Sequence, residues 1–220
     1  MMLTSRFPTN AIVIQVLVLM FQLQTAQAQD AGTGIEYIGP NRLVSLNVPK
    51  APNWAGAPYQ VTPLDTQGDH RYDKVMLHAD DFGQYLLVGV RILPSPSVAE
   101  MDKDEPRQVL KNLSEATLMG WRTDLASRPD IGQESFRDSK HGEAIIRVYR
   151  AKKGSILFKA QGRQPTRDDA FDTNIASVVA RRGAIVVFVL AQNDSSPDDP
   201  QNVVKMATAL FDELRVTSVP

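Results

Sequence analysis

The chain has 220 residues, 24 Lys and Arg against 25 Asp and Glu, a formal charge of −1 and no cysteine. A chain this close to neutrality lacks the excess positive charge that general nucleic-acid binding requires. Without thiols it has no disulfide, no thiolate chemistry and no cysteine for lipid attachment.

The first 28 residues read as an export signal. Arg6 gives a positive start, Ala11 to Phe21 is an apolar run broken only by Gln15, and Ala26-Gln27-Ala28 is a small-x-small cleavage site before Gln29. The run is shorter than the ~20 apolar residues of a membrane span, so no transmembrane anchor is expected after cleavage. Loss of Arg6 takes the formal charge from −1 to −2. The cleavage-site style and the missing cysteines point to the periplasm of a Gram-negative bacterium, or to secretion. The remaining chain of about 190 residues fits one domain that buries its own core. The expected division is a signal peptide over 1–28, a flexible N-terminal segment over 29–41 and a single domain over 42–220.

Ile35 to Ile38 and Arg42 to Val48 read as short strands. Pro49-Lys-Ala-Pro52-Asn-Trp54 stops the second and presents a Trp, and residues 55–70, rich in Gly, Pro and polar groups, read as a loop. Tyr72 to Ala79 and Gln84 to Ile92 form a strand pair joined by Asp80-Asp81-Phe82-Gly83. Pro94-Ser-Pro96 ends that pair. Asp104 is placed to cap a helix from Glu105 to about Leu125, with Leu110, Leu113, Thr117, Trp121 and Leu125 on its inner side. Three strands are expected next, over 133–138, 143–150 and 155–160, with Lys152-Lys153-Gly154 turning between the last two. Residues 161–174 form a polar connection.

The closing unit has the clearest pattern. Ile175 to Arg181 and Ala184 to Gln192 read as an antiparallel hairpin turned at Arg182-Gly183, the second strand apolar on both faces and therefore covered on both. Asp199 followed by Pro200 starts a helix. Its apolar face is Val203, Met206, Ala207, Leu210, Phe211 and Leu214, and its polar face carries Lys205, Thr208 and Asp212. A short strand, Val216 to Ser218, is expected to return to the sheet edge. Hairpin-length links imply antiparallel pairing, so the fold class is α+β: an antiparallel sheet flanked by two main helices.

This order resembles the Mog/PsbP-like family, and within it the periplasmic DcrB-like proteins. The likeness rests on the segment from Pro49 to Trp54, on Leu86-Leu-Val-Gly-Val-Arg-Ile92, on Leu118-Met-Gly-Trp121 near a helix end, and on the closing unit from Arg181-Arg-Gly183 to Leu214-Arg-Val-Thr-Ser218. It spans roughly residues 42–219. The resemblance implies a binding, assembly or chaperone-like protein without an active site. The loop at 55–70 and the connection at 161–174 depart from the family's pattern.

No catalytic, cofactor or metal site is expected. His70, His78 and His141 form no His-x-x-x-His pair. Asp168, Asp169 and Asp172, like Asp194, Asp198 and Asp199, lack the Gly and terminal Glu of a calcium loop. There is no Gly-x-Ser-x-Gly. The alternative to a binding protein is a hydrolase whose Ser, His and Asp are assembled in space. One composition shift stands out: from Arg147 to Arg167 every charge is positive, and Arg181 and Arg182 follow. If those strands are neighbours, the charges gather at one end of the sheet. Arg150, Lys152, Lys153 and Arg182, which flank two expected turns, are the candidate contacts, and Trp54 extends them. The partner would be a protein or an anionic envelope component, a phospholipid headgroup or acidic glycan among them. The alternative is a solvated face paired with Asp168 and Asp169.

Overall fold

The computed structural model describes residues 30–31, 34–49, 60–64, 66, 68–79, 83–118, 134–162 and 170–216. Ile185–Asn193 (β10) is the middle strand of a seven-stranded sheet in which every pairing is antiparallel. On one side of it lie Gln84–Ile92 (β6), Tyr72–Ala79 (β5) and Gln60–Leu64 (β4). On the other lie Thr173–Arg182 (β9), Gly142–Ala151 (β8) and Ser135–Ser139 (β7). A second sheet joins Asp30–Ala31 (β1), Gly34–Ile38 (β2), Val44–Pro49 (β3) and Arg215–Val216 (β11), in that order.

Alternation along the strands sends side chains to two separate cores. On one face Leu86, Val88, Val178, Ala180, Val187 and Val189 meet the helix Pro200–Glu213 (α4), together with Leu43, Val44 and Leu46 from the N-terminal part of the chain. On the other, Leu87, Ile145, Ile175, Val179, Phe188 and Leu190 meet the helix Pro106–Leu118 (α2); Ser95–Met101 (α1) and Ser155–Ala160 (α3) close the edges of that face. The molecule is thus an α+β sandwich with the large sheet at its centre. Gly89 of β6 sits directly across from Phe188, and a Cβ there would come within 2.2 Å of the ring, so the glycine makes room for the aromatic.

The closing unit takes the expected form. The Asp199 carboxylate accepts from the Gln201 and Asn202 N–H groups at 3.0 and 3.2 Å, a cap of about 1 kcal/mol. All six residues of the expected apolar stripe are buried and Lys205 is exposed. Each fully buried large apolar side chain contributes about 1.5–3 kcal/mol, so α4 anchors its face.

Several expectations are corrected. Ser155–Ala160 is helix α3, not a strand: Gly154 has φ of +65° and the Ser155 hydroxyl donates to the Lys152 carbonyl at 2.6 Å, so the chain winds up after β8 and does not fold back along it. The segment read as one loop over 55–70 contains β4, an edge strand where Pro63 removes no donor the ladder needs. Pro94-Ser-Pro96 follows the end of β6 at Ile92, as expected, and also opens helix α1, which the sequence reading did not include, with a proline in its first turn. Glu105, not Asp104, caps α2, its carboxylate accepting from Gln108 N–H at 2.8 Å. The final strand pairs with β3 of the small sheet and not with the main sheet's edge. The export-signal residues 1–28, Trp54, Trp121, Leu125, Arg163, Arg167, Asp168 and Asp169 lie outside the described residues.

The small sheet is tied to the large one by Asp73 of β5. Its buried carboxylate accepts from the N–H groups of Asn41, Leu43 and Val44 at 2.8, 2.7 and 3.3 Å. Three backbone donors around one carboxylate hold the turn before β3 against the main sheet.

Candidate functional site

The pairing register disperses the basic stretch that looks continuous in sequence. Arg150 pairs with Asn174 near the start of β9, whereas Arg182 ends that strand, roughly 26 Å away at ~3.3 Å per residue. Arg147 lies on the α2 face, buried, and its guanidinium binds Glu134 at 2.7 Å and Glu115 at 3.3 Å. Arg150 donates to the carbonyls of Pro197 and Phe171. Lys152 is buried with its ammonium 5.3 Å from the Phe171 ring centroid, and Lys153 pairs with Asp172 at 3.5 Å. Arg181 binds Asp102 at 2.7 Å. Of the four candidate basic contacts, only Arg182 has neither hydrogen bond nor ion pair among the described residues.

Arg182 instead rims a cavity of about 570 Å³ that also takes in Lys140, His141, Ile185, Val187, Leu214, Arg215 and Val216. Each element that builds it does so for a local reason. The β7–β8 turn is set by Ser139, whose hydroxyl donates to the Gly142 carbonyl at 2.7 Å and accepts from His141 N–H at 3.1 Å. Gly142, with φ of +104°, brings this turn against β9: a Cβ there would stand 2.8 Å from the Arg181 carbonyl oxygen. The β9–β10 turn, with Gly183 at φ +58°, follows Arg182, the last residue of β9, which pairs with Ile185. Ile185 and Val187 share one face of β10 and form the floor. Leu214 ends α4, and β11 brings Arg215 and Val216 alongside.

Among the described residues the electrostatics are one-signed: Lys140, Arg182 and Arg215 are the formally charged groups lining the cavity, and no described acidic residue joins them. Lys140 donates through Nζ to the Asp212 carbonyl, which covers the end of α4. The Asp212 carboxylate is held by Arg137. His141 Nε2 lies 3.1 Å from the Leu214 carbonyl, and the ring meets Phe211 edge to face. Burial, with the Lys140 charge beside it, pushes the His141 pKa below its ordinary 6.5, so the ring is neutral at pH 7. Arg182 and Arg215 are exposed and, among the described residues, without an ion-pair partner. A guanidinium in that condition offers a fork of N–H donors to a carboxylate or phosphate.

At the opposite end of the sheet a second cavity of about 380 Å³ is bordered by Lys153, Asp172 and Asp194. Asp194 accepts from Gly154 N–H at 2.7 Å and from Gln192 Nε2 at 2.9 Å, while burial raises its pKa. This group ties α3 to the end of β10. The other histidines are also in local bonds, His70 with Asn41 at 3.2 Å and His78 with Thr62 at 3.3 Å. Among the described residues no three of His, Asp and Glu converge as a metal site would require, and no described helix is long and apolar enough to cross a membrane.

Layered around one antiparallel sheet, with helices on both faces, the chain has a PsbP-like fold. Among the solved structures it is similar to is the solution structure of cyanobacterial PsbP (CyanoP) from Synechocystis sp. PCC 6803, with a TM-score of 0.50 and 13% sequence identity over 86% of this chain and 96% of that one. Neither a family model nor a curated protein matches the sequence significantly. At that identity the likeness is one of fold.

Sequence reasoning missed Lys140, His141 and Arg215, because the cavity draws them from two distant segments, the β7–β8 turn and β11. One signal was available: Arg147 and Arg150, three apart on a strand, must point to opposite faces, so a run of charge along a strand is not a patch.

Proposed function

We propose that this protein is an exported, non-enzymatic accessory protein of the cell envelope that holds an anionic partner over the cavity between Arg182 and Arg215. The observation that carries the proposal is that cavity, in which two guanidiniums with no ion-pair partner among the described residues stand beside an apolar floor. The export-like leader, the PsbP-like fold and the DcrB-like order of elements support the same reading. The one-signed rim attracts an acidic group, and screening limits that attraction to about 8 Å at physiological ionic strength.

The test has two parts. Mass spectrometry of the exported product should find it soluble and starting at Gln29; an intact Met1 on membrane-held protein would overturn the export assignment. Immobilised mature protein should capture an anionic envelope component in a salt-sensitive way, and the double charge reversal Arg182→Glu with Arg215→Glu should abolish that capture. Capture that survives the reversal would remove the cavity from the function.

A further inference from the structure

We infer that the ligand of this cavity is a single-chain amphiphile, an acidic head on an aliphatic tail, seated with its head between Arg182 and Arg215 and its tail along Ile185 and Val216. The inference rests on the reading of the cavity as an anion-binding site and names the chemistry of what binds.

Three features of the lining select that chemistry. Polar and apolar contacts are segregated: the cations stand on the rim, and the floor of Ile185, Val187, Leu214 and Val216 offers no side-chain donor or acceptor. The polar side chain nearest that floor is already engaged, since His141 Nε2 is bonded to the Leu214 carbonyl. A ligand rich in hydroxyls or amides would therefore bury polar groups without partners, which costs about 1–3 kcal/mol for each, whereas an alkyl chain has none to satisfy. The floor strand also has no free edge. β10 is paired along its length with β6 and with β9, so it has no backbone groups to offer an added peptide strand. A cavity of about 570 Å³ is within the ordinary range for a small ligand of this kind.

The head is anionic because no described residue on the rim neutralises the two arginines. The neighbouring Arg137 and Arg181 are bound to Asp212 and Asp102, but Arg182 and Arg215 have no such counter-charge among the described residues. A carboxylate or a phosphate monoester head would accept from both guanidiniums.

The experiment is calorimetric titration of the mature protein with sodium decanoate below its micelle concentration, beside decanol, sodium acetate and inorganic phosphate. Decanoate should bind with a defined stoichiometry, decanol about tenfold or more weaker, and acetate and phosphate not measurably over the same range. Decyl phosphate in place of decanoate then tells which head is preferred. The exposed pair Arg182→Ala with Arg215→Ala should weaken decanoate about tenfold or more without changing the circular dichroism spectrum, and Lys205→Ala on the outer face of α4 should leave it unchanged. Equal binding of decanoate to wild type and to the arginine double variant would overturn the inference. So would binding of acetate or phosphate as tight as decanoate, an outcome that leaves an anion site without a tail groove. If no alkyl anion binds but the charge-reversal variant still loses envelope capture, the amphiphile is refuted while the anionic-partner reading stands.

Discussion

The two faces of the large sheet handle polar groups differently. On the α4 face the core is aliphatic and aromatic, and a buried charge such as Asp73 is surrounded by three backbone donors. On the α2 face Arg147 is buried across from Ser177, its charge met by Glu134 and Glu115 at the margin, and the hydroxyls of Ser114 and Ser177 are buried without a hydrogen-bond partner among the described residues. A buried hydroxyl in that state is a liability of about 1–3 kcal/mol. The α2 face therefore carries the cost of unpaired hydroxyls, which among the described residues the α4 core, apart from Arg137 Nε at its margin, does not.

The largest effect should come from opening the α4 face. Leu210, 1% exposed on α4, changed to Ala should lower unfolding free energy by about 2–5 kcal/mol, measured by urea titration. Lys205→Ala on the same helix should stay within about 0.5 kcal/mol. Equal effects for the two would dissolve the distinction between the helix's faces.

Next comes Asp73. Asp73→Ala strands the N–H groups of Asn41, Leu43 and Val44, and a loss of about 2–4 kcal/mol is expected. Asp73→Asn, which keeps one acceptor, should lose less. Hydrogen exchange should show the three amides released in the Ala variant. Protection that persists would mean the small sheet does not depend on this anchor.

The α2 face should respond with the opposite sign. Ser177→Ala removes a hydroxyl with no partner and should be neutral or stabilising by up to about 1 kcal/mol, read from the thermal midpoint. A clear loss would show that the hydroxyl is satisfied by a bound water, and the two faces would then be alike.

The smallest effect concerns pH. His141 has a folded pKa below its ordinary 6.5, so the unfolded chain binds the proton more readily. The stability this neutral ring contributes is complete above pH 6.5 and is lost as pH falls through the lowered value. Relative to wild type, His141→Gln should therefore lose less stability between pH 7 and pH 5. Parallel pH profiles for the two proteins would mean that the ring's burial is not linked to its titration.

The sequence and the structure agree best where several local signals coincide. Asp199, Pro200 and a six-residue stripe specify α4 without reference to the rest of the chain, and the hairpin of β9 and β10 is marked by two apolar runs around Arg182-Gly183. Ser155 to Ala160 failed because six residues with an apolar core fit a strand or a turn and a half of helix equally well, and the αL glycine before them decides the matter. β4 was hidden by Pro63, which only an edge strand tolerates. Asp73 gave no sign of its role, since its three partners lie about thirty residues away and are reached through backbone groups that every residue has. The cavity was illegible for a related reason. Its cations come from separate segments at 140, 182 and 215, while the cations that cluster in sequence are turned to opposite faces or already paired.

The pairing of β11 with β3 has a kinetic consequence. Arg215 and Val216 lie against Ser45 and Val44, so strands from nearly opposite ends of the chain must meet before the small sheet is complete. Closing so long a loop is entropically demanding, and folds dominated by such distant pairings form slowly. During synthesis the segment around Val44 emerges well before Arg215 and Val216, so the small sheet is completed late. Until β11 pairs, the small sheet lacks its fourth strand and β3 keeps one edge open.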